Sequence, residues 1–127
     1  MTHEDILIID DSADIRDTLR DVFELEGYSV RTAENGRVGL DVLQAGQPPC
    51  LVVLDLMMPV MDGWEFLQRL RSHGDRKVAA VSVVVVSGAS SPGELADLER
   101  RYGCSVLTKP ADIGRLLGEA QGCCGDK

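Results

Sequence analysis

The sequence predicts one α/β domain, an open and doubly wound parallel sheet with helices on both faces. Three observations lead there. Short apolar runs alternate with amphipathic stretches along the whole chain, giving five strands and five helices. Several of those runs are apolar at every position, as a strand must be when both of its faces are covered. Polar and charged residues stand just past the ends of the runs, where ligands gather in sheets of this kind.

Ile6-Leu7-Ile8-Ile9 is the first such run and opens the series as a buried strand. Ser12 is placed to cap a helix reaching about Glu26, with Ile15, Leu19, Val22, Phe23 and Leu25 on or beside its apolar stripe and Gly27 ending it. Tyr28 to Ala33 alternates in the manner of a strand nearer an edge. Asn35 starts a second helix built on Val38, Leu40, Val42 and Leu43, stopped by Gly46 and Pro48. Leu51-Val52-Val53-Leu54 is another wholly apolar strand and runs directly into Asp55.

A third helix spans about Gly63 to Ser72, with Phe66, Leu67 and Leu70 inward. Val81 to Val86 is the most β-prone stretch and belongs in the interior of the sheet. Pro92 suits the first turn of a helix to about Tyr102, whose buried positions are Leu95 and Leu98. Ser105 to Leu107 forms a last short strand, and a helix from Ile113 to Ala120 closes the chain on Ile113, Leu116 and Leu117. Crossovers between parallel strands are expected to be right-handed.

The chain has 127 residues, 13 basic and 21 acidic, for a net charge of −8. That length holds a single domain, read as residues 1–121 with a short C-terminal tail at 122–127. The acidic balance argues against direct binding of a nucleic-acid backbone, which requires clustered Lys and Arg. No apolar run has the ~20 residues of a membrane span, and the start MTHEDILIIDD lacks a signal peptide's pattern, so a cytoplasmic protein is expected. Cys50, Cys104, Cys123 and Cys124 form no metal-binding spacing. Cys50 and Cys104 read as small core residues, whereas Cys123 and Cys124 fall in a Gly-flanked polar tail with no assigned role.

The strand ends carry the chemistry. Asp10 and Asp11 follow the first strand and Asp55 the third, while Ser87-Gly88 and Thr108-Lys109-Pro110 follow the fourth and fifth. Three carboxylates converging at one edge repel one another unless a cation offsets them. A hard divalent ion with oxygen ligands, such as Mg²⁺, is the natural partner. Taken singly each element has a plainer reading, as a helix cap, a turn or a loop. Four successive strand ends with complementary parts point to a site.

These segments, IIDDS at Asp10 and Asp11, DLMMPVMDG from Asp55 to Gly63, VVVSGA at Ser87 and TKP at Lys109, resemble the receiver domain of two-component response regulators. The resemblance runs from about Ile6 to Ala120. It implies a flavodoxin-like fold with strand order 2-1-3-4-5. It also implies that Asp55 is the phosphoacceptor, taking a phosphoryl group from the phosphohistidine of a sensor histidine kinase or phosphotransfer protein. Mg²⁺ would be held by Asp10, Asp11, Asp55 and the backbone carbonyl of Met57, with Asp10 acting largely through water. Lys109 and the Ser87 hydroxyl would hold phosphoryl oxygens, and the Lys109–Pro110 peptide would be cis. The chain would be a signalling switch rather than a dedicated enzyme, catalysing only its own phosphorylation and slow dephosphorylation. Its output would pass to a downstream protein or a missing output domain, without direct contact to nucleic acid or membrane.

Pro59, Met61, Asp62 and Gly63 read as a turn that starts the third helix, with Asp62 as its cap. Met57, Met58 and Met61 read as a soft cluster packing that loop. Two positions depart from the family's pattern: Val106 stands where an aromatic residue usually couples to the Ser/Thr hydroxyl, and Ala111 follows Lys-Pro where a larger apolar residue is common. Val106 leaves open a phosphorylation-independent interaction module on the same fold. A small phosphatase using Asp55 fits less well, because Met57 occupies the position where such enzymes place a second Asp.

Overall fold

The computed structural model describes residues 5–88, 91–110 and 112–124; Ala111 and residues 125–127 of the C-terminal tail lie outside them. In chain order the elements are β1 (Asp5–Ile9), α1 (Ala13–Leu25), β2 (Ser29–Ala33), α2 (Gly36–Ala45), β3 (Leu51–Asp55) and α3 (Gly63–Arg71). They continue with α4 (Arg76–Ala79), β4 (Val83–Ser87), α5 (Pro92–Tyr102), β5 (Ser105–Thr108) and α6 (Ile113–Cys124). All neighbouring strands pair in parallel, in the order β2-β1-β3-β4-β5. The α/β class, the five parallel strands and their order therefore agree with the expectation.

The two-residue period of the strands divides the core in two. Leu7, Ile9, Val52, Leu54, Val83 and Val85 face α2, α3 and α5, where they meet Leu43, Phe66, Leu67, Leu70 and Leu98. Ile6, Ile8, Leu51, Val53, Val84 and Val86 face α1 and α6, where they meet Leu19, Phe23, Leu116 and Ala120. Complete burial of side chains this size contributes about 1.5–3 kcal/mol each. β3 lies at the centre of the sheet and is buried along its whole length, which fixes where Asp55 emerges.

Helix starts are set locally. Ser12, Asn35, Asp62 and Ser91 cap α1, α2, α3 and α5, each side chain accepting a backbone N–H from the first turn. Gly27 takes φ 95°, a left-handed conformation that lets the chain leave α1 for β2.

Several expectations are corrected. There are six helices among the described residues: α4 is a single turn with only Val78 buried, too short to show a period. Val81 is buried but precedes β4, which runs on to Ser87. Leu25 is 86% exposed, and Ile15 and Ile113 are also exposed, so these three do not belong to the helix cores. Leu95 and Leu117 are only partly buried. The closing helix continues past Ala120 to Cys124, and Cys124 is disulfide-bonded to Cys50. Cys50 is thus half-buried and cross-linked rather than a core thiol, and Cys124 is not part of an idle tail.

Candidate functional site

The carboxyl edge of the sheet gathers Asp10, Asp11 and Asp55. One carboxylate oxygen from each lies within 4.8 Å of the other two, close enough to share an ion. Asp10 extends β1 by one residue, its N–H donating to the carbonyl of Ala33 at 3.1 Å. Its carboxylate accepts the Ser12 N–H at 2.9 Å, and its carbonyl accepts Arg16 at 2.7 Å. Those bonds hold Asp10 inside the edge, buried, while Asp11 beside it is exposed.

Asp55 is the last residue of β3 and only 4% exposed. Its Oδ1 accepts the Met57 N–H at 3.3 Å and lies 3.3 Å from Lys109 Nζ. Burial pushes the Asp55 carboxyl above its ordinary value, and the negative charge of Asp10 adds to the rise. Lys109 and the Met57 N–H oppose it without cancelling it. An ionised Asp55 is therefore under tension that added positive charge relieves.

Lys109 reaches the cluster from the end of β5. Its Nζ lies 3.8 Å from Asp10 Oδ2 as well as against Asp55, and its own N–H donates to the Ser87 carbonyl at 2.9 Å. The Lys109–Pro110 peptide is cis, as expected. Ser87, the last residue of β4, is buried and sits on the strand next to Asp55. So Asp10, Asp11, Asp55 and Lys109 meet in one cluster, and Ser87 borders it through the Lys109 backbone. Met57 places its backbone at Asp55 but turns its side chain outward, 60% exposed.

The loop after Asp55 is shaped by the α3 start. Asp62 caps that helix through the Glu65 N–H at 3.0 Å, the structural role expected of it. Gly63 donates to the Leu56 carbonyl at 2.9 Å, and a Cβ there would meet Leu56 Cα at 2.8 Å and the Asp55 carbonyl oxygen at 2.9 Å. Only glycine permits that approach. The methionines divide: Met58 and Met61 are buried in the core under α2 and α3, and Met57 is not. Val106 and Tyr102 are both partly buried against that same core.

Ile15 and Ile113, expected inside helices, instead rim a cleft of about 270 Å³ whose lining includes Asp55, Lys109 and Pro110. Periodicity could not have found this, because an isoleucine facing a cleft and one facing a core follow the same spacing. Three carboxylates, one of them the buried Asp55, with one ammonium and an apolar approach can hold a divalent cation and receive a phosphoryl group.

The sequence model of the family described as the response regulator receiver domain matches residues 6–121. Response regulator MprA of Mycolicibacterium vanbaalenii is 46% identical over 113 residues, covering 88% of this chain and 46% of that protein. Response regulator MprA of Mycobacterium bovis is 44% identical over the same length. The chain spans about half the length of these curated relatives. Among solved structures, chemotaxis protein CheY4 of Vibrio cholerae has a TM-score of 0.83 at 27% identity, covering 95% of this chain and 98% of that one. A response regulator receiver protein from Pseudomonas putida has a TM-score of 0.85 at 27% identity, covering 96% and 98%.

Proposed function

The chain belongs to the response regulator receiver domain family, and from that premise we propose that it is a phosphoacceptor switch that works through Asp55. The observation that carries the proposal is the buried Asp55 carboxylate, within 4.8 Å of two other carboxylates and 3.3 Å from the Lys109 ammonium. The donor is a phosphohistidine on a sensor histidine kinase or phosphotransfer protein. An Asp55 oxygen attacks phosphorus in line. The N–P bond breaks, its electron pair returns to the imidazole nitrogen, and that nitrogen takes a proton from solvent. An acyl phosphate on Asp55 remains.

Asp10, Asp11, Asp55 and the Met57 carbonyl would hold Mg²⁺, and the all-oxygen donor set suits it. When bound, that ion supplies positive charge against the phosphoryl oxygens. Lys109 supplies a second positive charge, and the Ser87 hydroxyl at the neighbouring strand end donates to a phosphoryl oxygen. The apolar rim of Ile15 and Ile113 lets a partner's helix approach while limiting water at the acyl phosphate. The protein is not a dedicated enzyme: it promotes its own phosphorylation and slow hydrolysis, and the phosphorylated surface changes its affinity for an output partner or domain.

Val106, which is not aromatic, favours a second reading in which partners bind irrespective of phosphate. A beryllofluoride titration in Mg²⁺ separates the two, with Trp64 fluorescence and the amide resonances around Asp55 as readouts. Saturable changes that reach the α5 and α6 amides support the switch. Changes restricted to the strand ends favour the interaction module, and no binding removes the phosphoacceptor reading.

A further inference from the structure

At the opposite edge of the sheet, a second site lies outside the phosphoacceptor machinery. We propose that Cys50 and Cys124 form a reversible thiol–disulfide pair that sets whether the last turn of α6 stays docked.

Both cysteines are delivered by fixed elements. Cys50 directly precedes the fully buried β3, and its N–H donates to the Asp5 carbonyl at 2.8 Å. Cys124 continues the α6 buried stripe of Leu116 and Ala120 at the helical spacing of four. Their Cα atoms are 5.0 Å apart, within the range a disulfide spans without backbone movement. Cys50 is only half-buried, and accessible disulfides are the exchangeable ones.

The helix turn that the bond tethers has little else holding it. Gln121, Gly122 and Cys123 are exposed, and Cys124 is the only buried side chain past Ala120 among the described residues. Gly118 and Gly122 have nothing within 4 Å of where a Cβ would lie, so neither serves a close approach. Glycine at such positions lowers helix stability relative to alanine. Of the remaining thiols, Cys104 is withdrawn: it is buried, burial pushes its thiol up, and its S–H donates to the Leu98 carbonyl. Cys123 is exposed, so glutathione reaches it singly, as a mixed disulfide that closes no loop in the chain.

The chemistry balances with a low-molecular-weight disulfide, RSSR. The Cys50 thiolate attacks one sulfur of RSSR and expels one thiolate, leaving a mixed disulfide. The Cys124 thiolate then attacks the Cys50 sulfur and expels the second. Two protein thiols are oxidised, one RSSR is reduced to two RSH, and the protons released by the cysteines pass to the departing thiolates.

The full chain in glutathione buffers, stepped from reduced to oxidised, provides the test. Alkylation in denaturant and intact mass count the thiols at each step. The expected result is four alkylated cysteines at the reducing end and, at the oxidising end, a Cys50–Cys124 link with Cys104 alkylated and Cys123 either alkylated or carrying one glutathione. Hydrogen exchange of the amides after Ala120 rises by at least about tenfold on reduction, with β3 unchanged. Cys123→Ser retains the titration. Cys124→Ala and Cys50→Ser each show fast exchange of that turn in every buffer. Four thiols throughout, a link that glutathione does not reduce, a link lost in Cys123→Ser, or an unmoved last turn would each overturn the proposal.

Discussion

Asp55→Asn is expected to make the metal-free protein more stable, although it removes the residue on which function depends. The substitution keeps the shape and the acceptor for the Met57 N–H. At an effective dielectric of 20, repulsion from Asp10 at no more than 4.8 Å is at least about 3.5 kcal/mol, against about 5 kcal/mol of attraction to Lys109 at 3.3 Å. These nearly cancel, and the exposed Asp11 adds a smaller repulsion. What is left is the cost of burying an ion, which is several kcal/mol. That cost, less the roughly 1.5 kcal/mol by which Lys109 outweighs Asp10, leaves a net gain of about 2 kcal/mol, or roughly 7 °C in Tm for a chain this long.

Because the folded Asp55 carboxyl is raised above 3.8, its favourable contribution is complete below that value and is lost as pH climbs through the folded pKa. The advantage of the variant is thus small near pH 4 and grows as pH rises toward 7. Urea melts in EDTA across that interval measure it. Magnesium at ten times its Kd restores about 1.4 kcal/mol to the native protein and much less to the variant. A variant equal to or weaker than the native protein at pH 7 in EDTA would refute the reasoning, since Lys109 would then more than compensate burial.

Two further changes probe the scaffold. Val60 adopts φ 70° with its side chain 77% exposed, so Val60→Gly relieves a left-handed β-branched residue and loses little packing. It is expected to raise stability by about 1 kcal/mol in urea melts, and a loss would show that the side chain has a partner that the geometry does not suggest. Arg71 donates to the carbonyls of Ala79, Val81 and Tyr102 at 2.7–2.8 Å, tying the end of α3 to the approaches of β4 and β5. Arg71→Met is expected to cost about 2–3 kcal/mol by leaving those carbonyls unpaired. Unchanged stability would mean that water replaces the guanidinium fully.

Much of this was legible in the sequence because the decisive signals are local. β1, β3 and β4 each carry an unbroken run of four apolar residues, and such runs can lie only between two covered faces. Once their ends are known, Asp10, Asp55 and Lys109 fall on one edge by topology alone. What escaped depends on tertiary context. Ile15 and Ile113 keep the helical period yet line a cleft, because periodicity reports a face and not what covers it. α4 has one buried residue in one turn. The pairing of Cys50 with Cys124 joins positions 74 residues apart and becomes visible only when α6 lies along the start of β3. Arg71 stands at a helix end, and nothing in its sequence neighbours signals the three carbonyls it meets.

In the proposed switch the phosphoryl group is carried by an oxygen of one residue, and that residue can be identified chemically. Incubation with acetyl phosphate and Mg²⁺, followed by borohydride trapping and peptide mass spectrometry, locates the acyl phosphate directly. The account predicts one modified residue, Asp55, with modification abolished by EDTA and absent from Asp55→Asn. Modification at another residue, or undiminished labelling of Asp55→Asn, would contradict it.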